Sequence, residues 1–202
     1  MRIIVLFACL LSFADCYSQF GYGFTFFNDI YHRYTNDSDD TAYKSAGSAI
    51  INLAAGPKVW LGGQNFSVSA EAAAGIGLFG LALKDYKGMG TAYFPILVCF
   101  NFKGLSGLDK EGRSGFSIGG GLQYSRTELY GLTDKYNNIE RNLFRTYIAH
   151  VGYGFGLQGF SLQGFGRYGF DPDSNAQVFS IGMQWDFNVK KLKKLKDKAS
   201  QL

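Results

Sequence analysis

The chain has 202 residues and is rich in glycine and aromatic residues, with 27 glycines, 19 phenylalanines and 13 tyrosines but only 3 prolines. This composition favours strands over helices. The formal net charge is +4, but residues 190–202 carry six lysines and one aspartate, and the charges of residues 1–18 cancel, so residues 19–189 carry −1. A neutral body excludes the spread basic face by which sheets bind nucleic acids, so no nucleic-acid partner is expected.

Residues 1–18 predict a secretory signal peptide. A basic residue precedes an apolar run over residues 3–13, and small residues lead to a cleavage site after Ser18. The segment is too short to span a membrane as a helix, so the rest of the chain is expected to form the mature protein. A lipoprotein in which Cys16 is acylated stays open as an alternative.

Alternation of large apolar residues with small or polar ones predicts eight strands in the rest of the chain. In the last of them, Phe179, Ile181 and Met183 alternate with Ser180 and Gly182. This period of two is typical of strands with one apolar face. The predicted strands cover residues 20–32, 46–61, 66–83, 91–103, 115–130, 142–157, 160–170 and 176–189.

Glycines mark the strand face opposite the aromatic residues. If the aromatic face were a soluble core, the solvated face would be mostly glycine and serine with hardly any charge, which is unusual for a protein surface. A narrow eight-stranded barrel needs small residues inside and can turn its aromatic face to lipid. The sequence therefore predicts an all-β fold, an eight-stranded antiparallel up-and-down transmembrane β-barrel, with a soluble ligand-binding barrel as the alternative fold. The glycines concerned are Gly21, Gly23, Gly56, Gly75, Gly77, Gly119, Gly121, Gly152, Gly154, Gly156 and Gly182.

The connections between the predicted strands alternate in length. Those at 62–65 and 158–159 are short, whereas 32–45 and 131–142 are long and polar. Membrane barrels of bacteria have short periplasmic turns and longer extracellular loops, so both termini are expected on the periplasmic side. The connection at 103–114 is long for a periplasmic turn and departs from this pattern. Outer loops are expected near 32–45, 84–90, 131–141 and 171–175.

Tyrosine rings near strand ends are expected at the membrane interfaces, where an apolar ring with a polar tip is well placed. Tyrosine is also common at the edges of soluble sheets, so these rings support the membrane barrel without excluding the soluble one. The tyrosines concerned are Tyr22, Tyr31, Tyr34, Tyr86, Tyr93, Tyr130, Tyr136 and Tyr168.

Strand parity also predicts which polar side chains lie inside the barrel. Buried charges are costly unless they are paired, so the expected arrangement is a network that plugs the lumen. Lys58 and Glu71 are expected to pair, because they lie on adjacent strands near one turn. A narrow conductive path or a ligand site is the alternative. The predicted lumen network comprises Lys58, Glu71, Gln123, His150, Gln163, Arg167, Gln184 and Asp186.

No catalytic, cofactor or metal site is predicted. Two matches to G-x-G-x-x-G, at 75–80 and 154–159, lack the following helix that a dinucleotide site needs. Cys99 is the only cysteine after residue 18 and is expected to be a packed residue. A lipid-modifying barrel enzyme would use serine, histidine and an acid. The chain has only His32 and His150, neither has a serine two residues away, and His150 is expected to belong to the lumen network.

The last predicted strand carries the most specific motif. Ser180, Gly182, Trp185 and Phe187 follow the pattern polar-x-Gly-x-x-hydrophobic-x-hydrophobic. With this motif in the last of eight strands, the chain resembles the small eight-stranded outer-membrane β-barrels of the OmpA and OmpX type over residues 19–189. The resemblance implies a bacterial outer-membrane lipid bilayer as surroundings and recognition of this β-signal by the barrel-assembly machinery. In many members the aromatic residue of the signal ends the chain, whereas fifteen residues follow Phe187 here.

Residues 190–202 form a basic tail. Leu192, Leu195 and Ala199 recur at spacings of three and four, with lysines on the other face, which predicts a short amphipathic helix. The tail is expected to lie in the periplasm as a free end. Docking to an acidic periplasmic partner or to anionic lipid headgroups is the alternative.

The sequence therefore divides into a signal peptide over residues 1–18, a barrel over 19–189 and a basic periplasmic tail over 190–202. The expected role is non-enzymatic, that of a structural or surface-interaction protein of the cell envelope with a largely plugged lumen. A narrow pore and a lipid A-modifying enzyme are the alternatives, and no cofactor is expected.

Overall fold

The computed structural model describes residues 19–36, 45–82, 88–131 and 143–193, so the predicted signal peptide and most of the predicted tail lie outside the described residues. Residues Gly104–Ser106 form a 3-10 turn, and residues 189–193 form a short helical turn. Among the described residues, no helix is both long and apolar enough to cross a membrane. They form ten strand segments: β1 (Gln19–Asn36), β2 (Ser45–Ala49), β3 (Asn52–Gly62), β4 (Phe66–Ala72), β5 (Ala74–Ala82), β6 (Gly88–Lys103), β7 (Arg113–Gly131), β8 (Phe144–Leu157), β9 (Phe160–Phe170) and β10 (Gln177–Asn188).

These described segments build the eight strands of one closed antiparallel barrel. β2 and β3 are two parts of one strand, interrupted at Ile50 and Ile51, and β4 and β5 are two parts of the next, interrupted at Ala73. Neighbouring strands in the chain pair with each other, and β1 pairs with β10 on one side and with β2 and β3 on the other, which closes the sheet. The predicted eight-stranded, antiparallel, up-and-down barrel is therefore confirmed.

The outer wall of the barrel is apolar. In β10, the outward Phe179 and Ile181 are 40% and 50% exposed, whereas the inward Ser180 and Gln184 are each 1% exposed. The same alternation places most large apolar side chains of the described residues on the outside. A soluble protein rarely exposes so much continuous apolar surface, whereas a lipid bilayer solvates it.

Glycines on the inner face allow the wall to curve around a narrow lumen. A Cβ atom on Gly23 would collide with the carbonyl group of Phe187, and one on Gly154 would collide with the backbone of β9. At Gly152, an added Cβ would collide with the side-chain amide of Gln163. Inner positions without side chains therefore leave space for the large polar side chains that fill the lumen.

A β-bulge in β1 interrupts the alternation. The pairing with β10 shifts register between Asp29 and Tyr31, and both Ile30 and Tyr31 are exposed on the outer wall. A bulge adds one residue to one strand, so the residues beyond it exchange faces. His32 and Tyr34 therefore point inward and are each 1% exposed. The predicted placement of Tyr34 at the membrane interface is wrong for this reason.

The predicted placement of Tyr93 at the interface is also wrong. Its neighbour Phe94 faces outward, so alternation turns Tyr93 into the lumen, where its hydroxyl donates a hydrogen bond of 3.3 Å to the carbonyl of Asn52. Of the other tyrosines in that prediction, Tyr86 and Tyr136 lie outside the described residues, whereas Tyr22, Tyr31, Tyr130 and Tyr168 are exposed on the outer wall.

The two ends of the barrel carry different connections. One end, which we call the turn end, holds the connections 63–65, 104–112 and 158–159 together with the start of β1 and the end of β10. At the opposite loop end, the connection 171–176 is described. The other predicted outer loops, near 32–45, 84–90 and 131–141, lie largely outside the described residues, and their described parts are strand.

Candidate functional site

Four charged side chains meet inside the lumen, and we call them the central ion cluster. They are Lys58 of β3, Glu71 of β4, Arg167 of β9 and Asp186 of β10, each at most 4% exposed. The Lys58 Nζ lies 2.8 Å from Glu71 Oε2 and 3.0 Å from Asp186 Oδ2. The Arg167 Nη2 lies 3.6 Å from Glu71 Oε1. Two cations thus balance two anions, which offsets much of the cost of burying charge.

Gln184 of β10 connects the members of the central ion cluster. Its Nε2 lies 3.0 Å from Glu71 Oε2 and 3.0 Å from Asp186 Oδ1, and its Oε1 accepts a hydrogen bond of 3.2 Å from Arg167 Nη2. Ser161 Oγ donates a further hydrogen bond of 3.2 Å to Asp186 Oδ2. The amide therefore bridges the two carboxylates and one of the cations, which makes the cluster a connected network.

The guanidinium group of Arg167 contacts two aromatic rings. Its Cζ is 4.3 Å from the ring centroid of Phe27 and 4.2 Å from that of Phe165. Both rings are buried inside the barrel, so cation–π attraction adds to the ion pair. These two inward aromatic residues are absent from the predicted network. Strand alternation could have predicted Phe165, because it shares the inward face of β9 with Gln163 and Arg167.

His150 of β8 continues the network away from the ions. Its Nδ1 accepts a hydrogen bond of 3.1 Å from Arg167 Nε, so the proton of the neutral ring is on Nε2, which lies 3.2 Å from Ser117 Oγ. Ser117 Oγ in turn donates to Gln163 Oε1 at 2.7 Å. A general base of the serine-hydrolase type needs a carboxylate on one ring nitrogen and a free acceptor on the other. This histidine has an arginine in place of the carboxylate.

His32 forms a second buried cluster nearer the loop end. Its Nδ1 lies 2.9 Å from Ser180 Oγ and 3.5 Å from Asp29 Oδ2, and its ring stacks on Tyr93 at 5.3 Å between centroids. A catalytic triad would contact serine and aspartate through opposite ring nitrogens, whereas here both approach Nδ1. Sequence reasoning missed this cluster because the β1 bulge, which turns His32 inward, leaves no clear signal in the sequence.

The structure places all eight residues of the predicted lumen network inside the barrel, each at most 4% exposed. Seven of them are joined by the contacts above, with Ser117 as the link to Gln163. Gln123 lies apart and donates to Ser125 Oγ at 3.1 Å. The residues of the predicted β-signal divide between the faces, with Ser180 and Gly182 inside, whereas the rings of Trp185 and Phe187 contact Phe26 and Phe160 outside.

The connection 104–112 folds into the turn end of the lumen, and we call it the plug. Its Leu105 and Leu108 are 2% and 1% exposed. Ser67 Oγ donates a hydrogen bond of 2.7 Å to the carbonyl of Ser106, and Gly107 packs against the indole ring of Trp60. The unusual length of this connection is therefore explained, because residues 104–109 are buried in the lumen and only residues 110–112 are exposed.

The start of the tail is attached to the plug. Asn188 Nδ2 donates a hydrogen bond of 3.0 Å to the carbonyl of Gly107, and Lys191 Nζ donates one of 2.5 Å to the carbonyl of Leu108. Lys190 Nζ donates to the carbonyl of Phe20 in β1 at 3.1 Å. The helical turn at 189–193 therefore lies against the mouth of the barrel, and the rest of the tail lies outside the described residues.

An apolar outer wall, a polar lumen filled by paired side chains and a plug at the turn end together define a small transmembrane β-barrel. Within the described ranges, no group of three or more histidine, cysteine, aspartate or glutamate residues could hold a metal ion.

Comparison with known proteins finds similarity among solved structures alone, since neither a family model nor a curated protein matches the sequence. The chain is similar to Ail, the attachment invasion locus protein of Yersinia pestis, in complex with the heparin analogue sucrose octasulfate. The identity is 12% over 84% of this chain and 98% of that chain, with a TM-score of 0.45. It is also similar to Neisserial surface protein A, with 10% identity, 85% and 99% coverage and a TM-score of 0.45. For the outer membrane protein OprG from Pseudomonas aeruginosa, the identity is 11%, the coverage 85% and 96%, and the TM-score 0.43.

Proposed function

We propose that this chain is an integral protein of a bacterial outer membrane with a plugged lumen and a non-enzymatic role in envelope structure or surface interaction. The filled lumen carries the proposal. The central ion cluster balances its own charges, and the plug covers the turn end with Leu105 and Leu108. Side chains that pair with each other in this way have a structural role and leave little capacity for solutes.

The location in the outer membrane is supported by three features. The apolar outer wall suits a lipid bilayer, the predicted signal peptide suits export, and the predicted β-signal suits insertion by the barrel-assembly machinery. The surfaces left for another partner are the loop end and the basic tail. An acidic periplasmic partner fits the tail by charge.

Electrical recording in planar bilayers tests the plugged lumen. We expect no steady conductance from the full chain, because the central ion cluster and the plug occupy the path between the two ends. Heat-dependent migration of the same sample on a gel controls for a folded barrel, and an open porin controls for the recording. Steady single-channel steps from the folded chain would contradict the proposal and favour a narrow pore.

Mass spectrometry of lipid A tests the non-enzymatic role. The hydrogen bonds at His150 and His32 support this role, because neither ring has serine and carboxylate on opposite nitrogens. Cells that produce the full chain should have the same lipid A masses as cells without it, and His150→Ala should change nothing. A mass shift that disappears in that variant would overturn the proposed role.

Membrane fractionation tests the location itself. The full chain should be recovered with outer membranes and should migrate differently on a gel before and after heating. Recovery in the soluble periplasm would instead indicate a soluble ligand-binding barrel.

A further inference from the structure

A groove on the outer wall near the loop end has features that the proposed function does not use. It crosses β1, β9 and β10 and has a volume of about 450 Å³. Outward side chains form most of its surface, and they include three aromatic rings and one charged group. These side chains are Tyr31, Arg33, Thr35, Tyr168, Gln177 and Phe179.

The groove has an apolar part and a polar part. Phe179 is the cross-strand neighbour of both Arg33 and Tyr168, and the Tyr31 and Phe179 rings meet edge to face with centroids 6.4 Å apart. Thr35 lies opposite Gln177 one step nearer the loop end. An elongated ligand would therefore contact Arg33 and the Phe179 and Tyr168 rings at one level of the wall, with Tyr31 nearer the middle of the barrel. Thr35 and Gln177 lie nearer its rim.

The bulge in β1 creates this arrangement. Without the extra residue, alternation from the inward Asp29 would turn Tyr31 and Arg33 into the lumen and His32 outward. The bulge instead places an arginine on the outer wall, three residues before β1 ends at Asn36. Arginine on a lipid-facing wall is destabilising at the bilayer midplane but nearly neutral near the interface, which is where the end of a strand lies.

The positive charge of the groove favours a ligand with an anionic group. Among the described residues that line it, Arg33 is charged and no carboxylate is present. The guanidinium group binds phosphate through two parallel hydrogen bonds. A lipid headgroup places a phosphate at the depth of the interface, and its acyl chains extend toward the midplane. The lipid is therefore polar toward the rim and apolar toward the midplane, in the same order as the groove.

We propose that this groove binds an anionic, phosphate-bearing lipid of the surrounding membrane, with the phosphate on Arg33 and an acyl chain against Tyr31, Tyr168 and Phe179. The headgroup of such a lipid, unlike that of phosphatidylcholine, has no ammonium group to neutralise the phosphate. The inference rests on the proposed membrane insertion and adds a specific lipid site to it.

Lipid retention tests the site. The full chain is refolded into phosphatidylcholine vesicles that contain phosphatidylglycerol as a minor component. It is then extracted in mild detergent, and native mass spectrometry measures the mass of the protein with its bound lipids. We expect phosphatidylglycerol to be retained in preference to phosphatidylcholine. Arg33→Ala should lower this retention about fivefold, and Phe179→Ala should lower it as well. Arg126→Ala is the matched control, because Arg126 is exposed on the outer wall of β7 near the same end but does not line the groove.

The possible outcomes distinguish a failure of the lipid site from a failure of the proposed function. Equal losses in the Arg33 and Arg126 variants would mean general attraction to anionic lipid and would overturn the site. Displacement of the lipid by inorganic phosphate at similar concentration would overturn the lipid as ligand. A folded, inserted chain without any lipid preference would refute the site and leave the proposed function standing. Failure of the unmodified chain to insert would refute both.

Discussion

At the scale of single residues, strand parity is the main source of what the sequence reveals. Parity places Lys58 and Glu71 on the inner face of adjacent strands, and the structure has them there as direct cross-strand partners. Parity does not reveal that Asp186, which is 128 residues from Lys58 in the chain, shares that ammonium group. Contacts across the lumen depend on barrel geometry, so the sequence predicts members of the network better than its pairings.

Lys58→Met should strongly destabilise the barrel. It leaves Glu71 and Asp186 buried with Arg167 as the remaining cation of the central ion cluster, and removing one partner of a buried ion pair costs about 3 to 5 kcal/mol. The free energy of unfolding is measured by urea titration of the refolded protein in vesicles. Lys110→Met, at an exposed position of the plug, is the control and should change it by less than about 0.5 kcal/mol.

A second variant tests whether the loss of charge balance causes the destabilisation by Lys58→Met. Adding Glu71→Gln to Lys58→Met should restore part of the lost free energy, because one anion then faces one cation. Equal destabilisation by the single and double variants would show that lost packing around Lys58 is the cause.

At the scale of elements, the strands were predictable and their irregularities were not. The period of two is a local pattern, so it survives in each strand whatever the neighbours are. The bulge in β1 depends on pairing with β10, and the plug depends on the empty space at the turn end. Both are set by partners distant in the chain, which is why Tyr34 and the connection 103–114 did not fit expectations based on local pattern.

Gly107→Val should loosen the plug. Gly107 has φ of +68°, which β-branched residues avoid, and a Cβ there would press against the Trp60 indole. In a Trp185→Phe background, iodide should quench Trp60 fluorescence more strongly in the variant, because the turn end becomes accessible to water. Gly112→Val is the control, because its φ of +72° is similar, but among the described residues an added Cβ would approach only Leu157, at 3.3 Å. Equal quenching in both variants would show that backbone strain, and not the contact with Trp60, causes the increased quenching.

At the scale of the whole molecule, the sequence predicted the architecture because two patterns agree. Aromatic residues face one side of nearly every strand and glycines the other, and one closed sheet satisfies both with rings in lipid and glycines around a narrow lumen. The site was predicted less well. Interior aromatic residues such as Phe27 and Phe165 lie on the same strand face as the inward polar residues. Their residue type, however, is the one that faces lipid at most other described positions of the barrel.

Removal of the tail should leave the barrel intact but slightly less stable. A chain that ends at Val189 loses the hydrogen bonds from Lys190 and Lys191 to the barrel mouth and the plug, at a cost of about 1 kcal/mol. A chain that ends at Lys193 keeps both lysines and is the matched control. Urea titration compares the two, and equal stability would contradict a stabilising role for these contacts. Pull-downs with the two chains and the full chain then test whether the tail binds the proposed acidic periplasmic partner.

The seam between β1 and β10 has a consequence for folding kinetics. Thr25 and Gln184, which are bonded across it, lie 159 residues apart in the chain, and His32 and Ser180 lie 148 apart. Contacts of such high sequence separation form slowly, since a long loop must close before any of them is gained. Until β10 arrives, β1 and β9 each present an unpaired edge that invites association with other chains. Newly made copies therefore need protection until β10 has paired, and synthesis that stops short of β10 would yield a chain prone to aggregate.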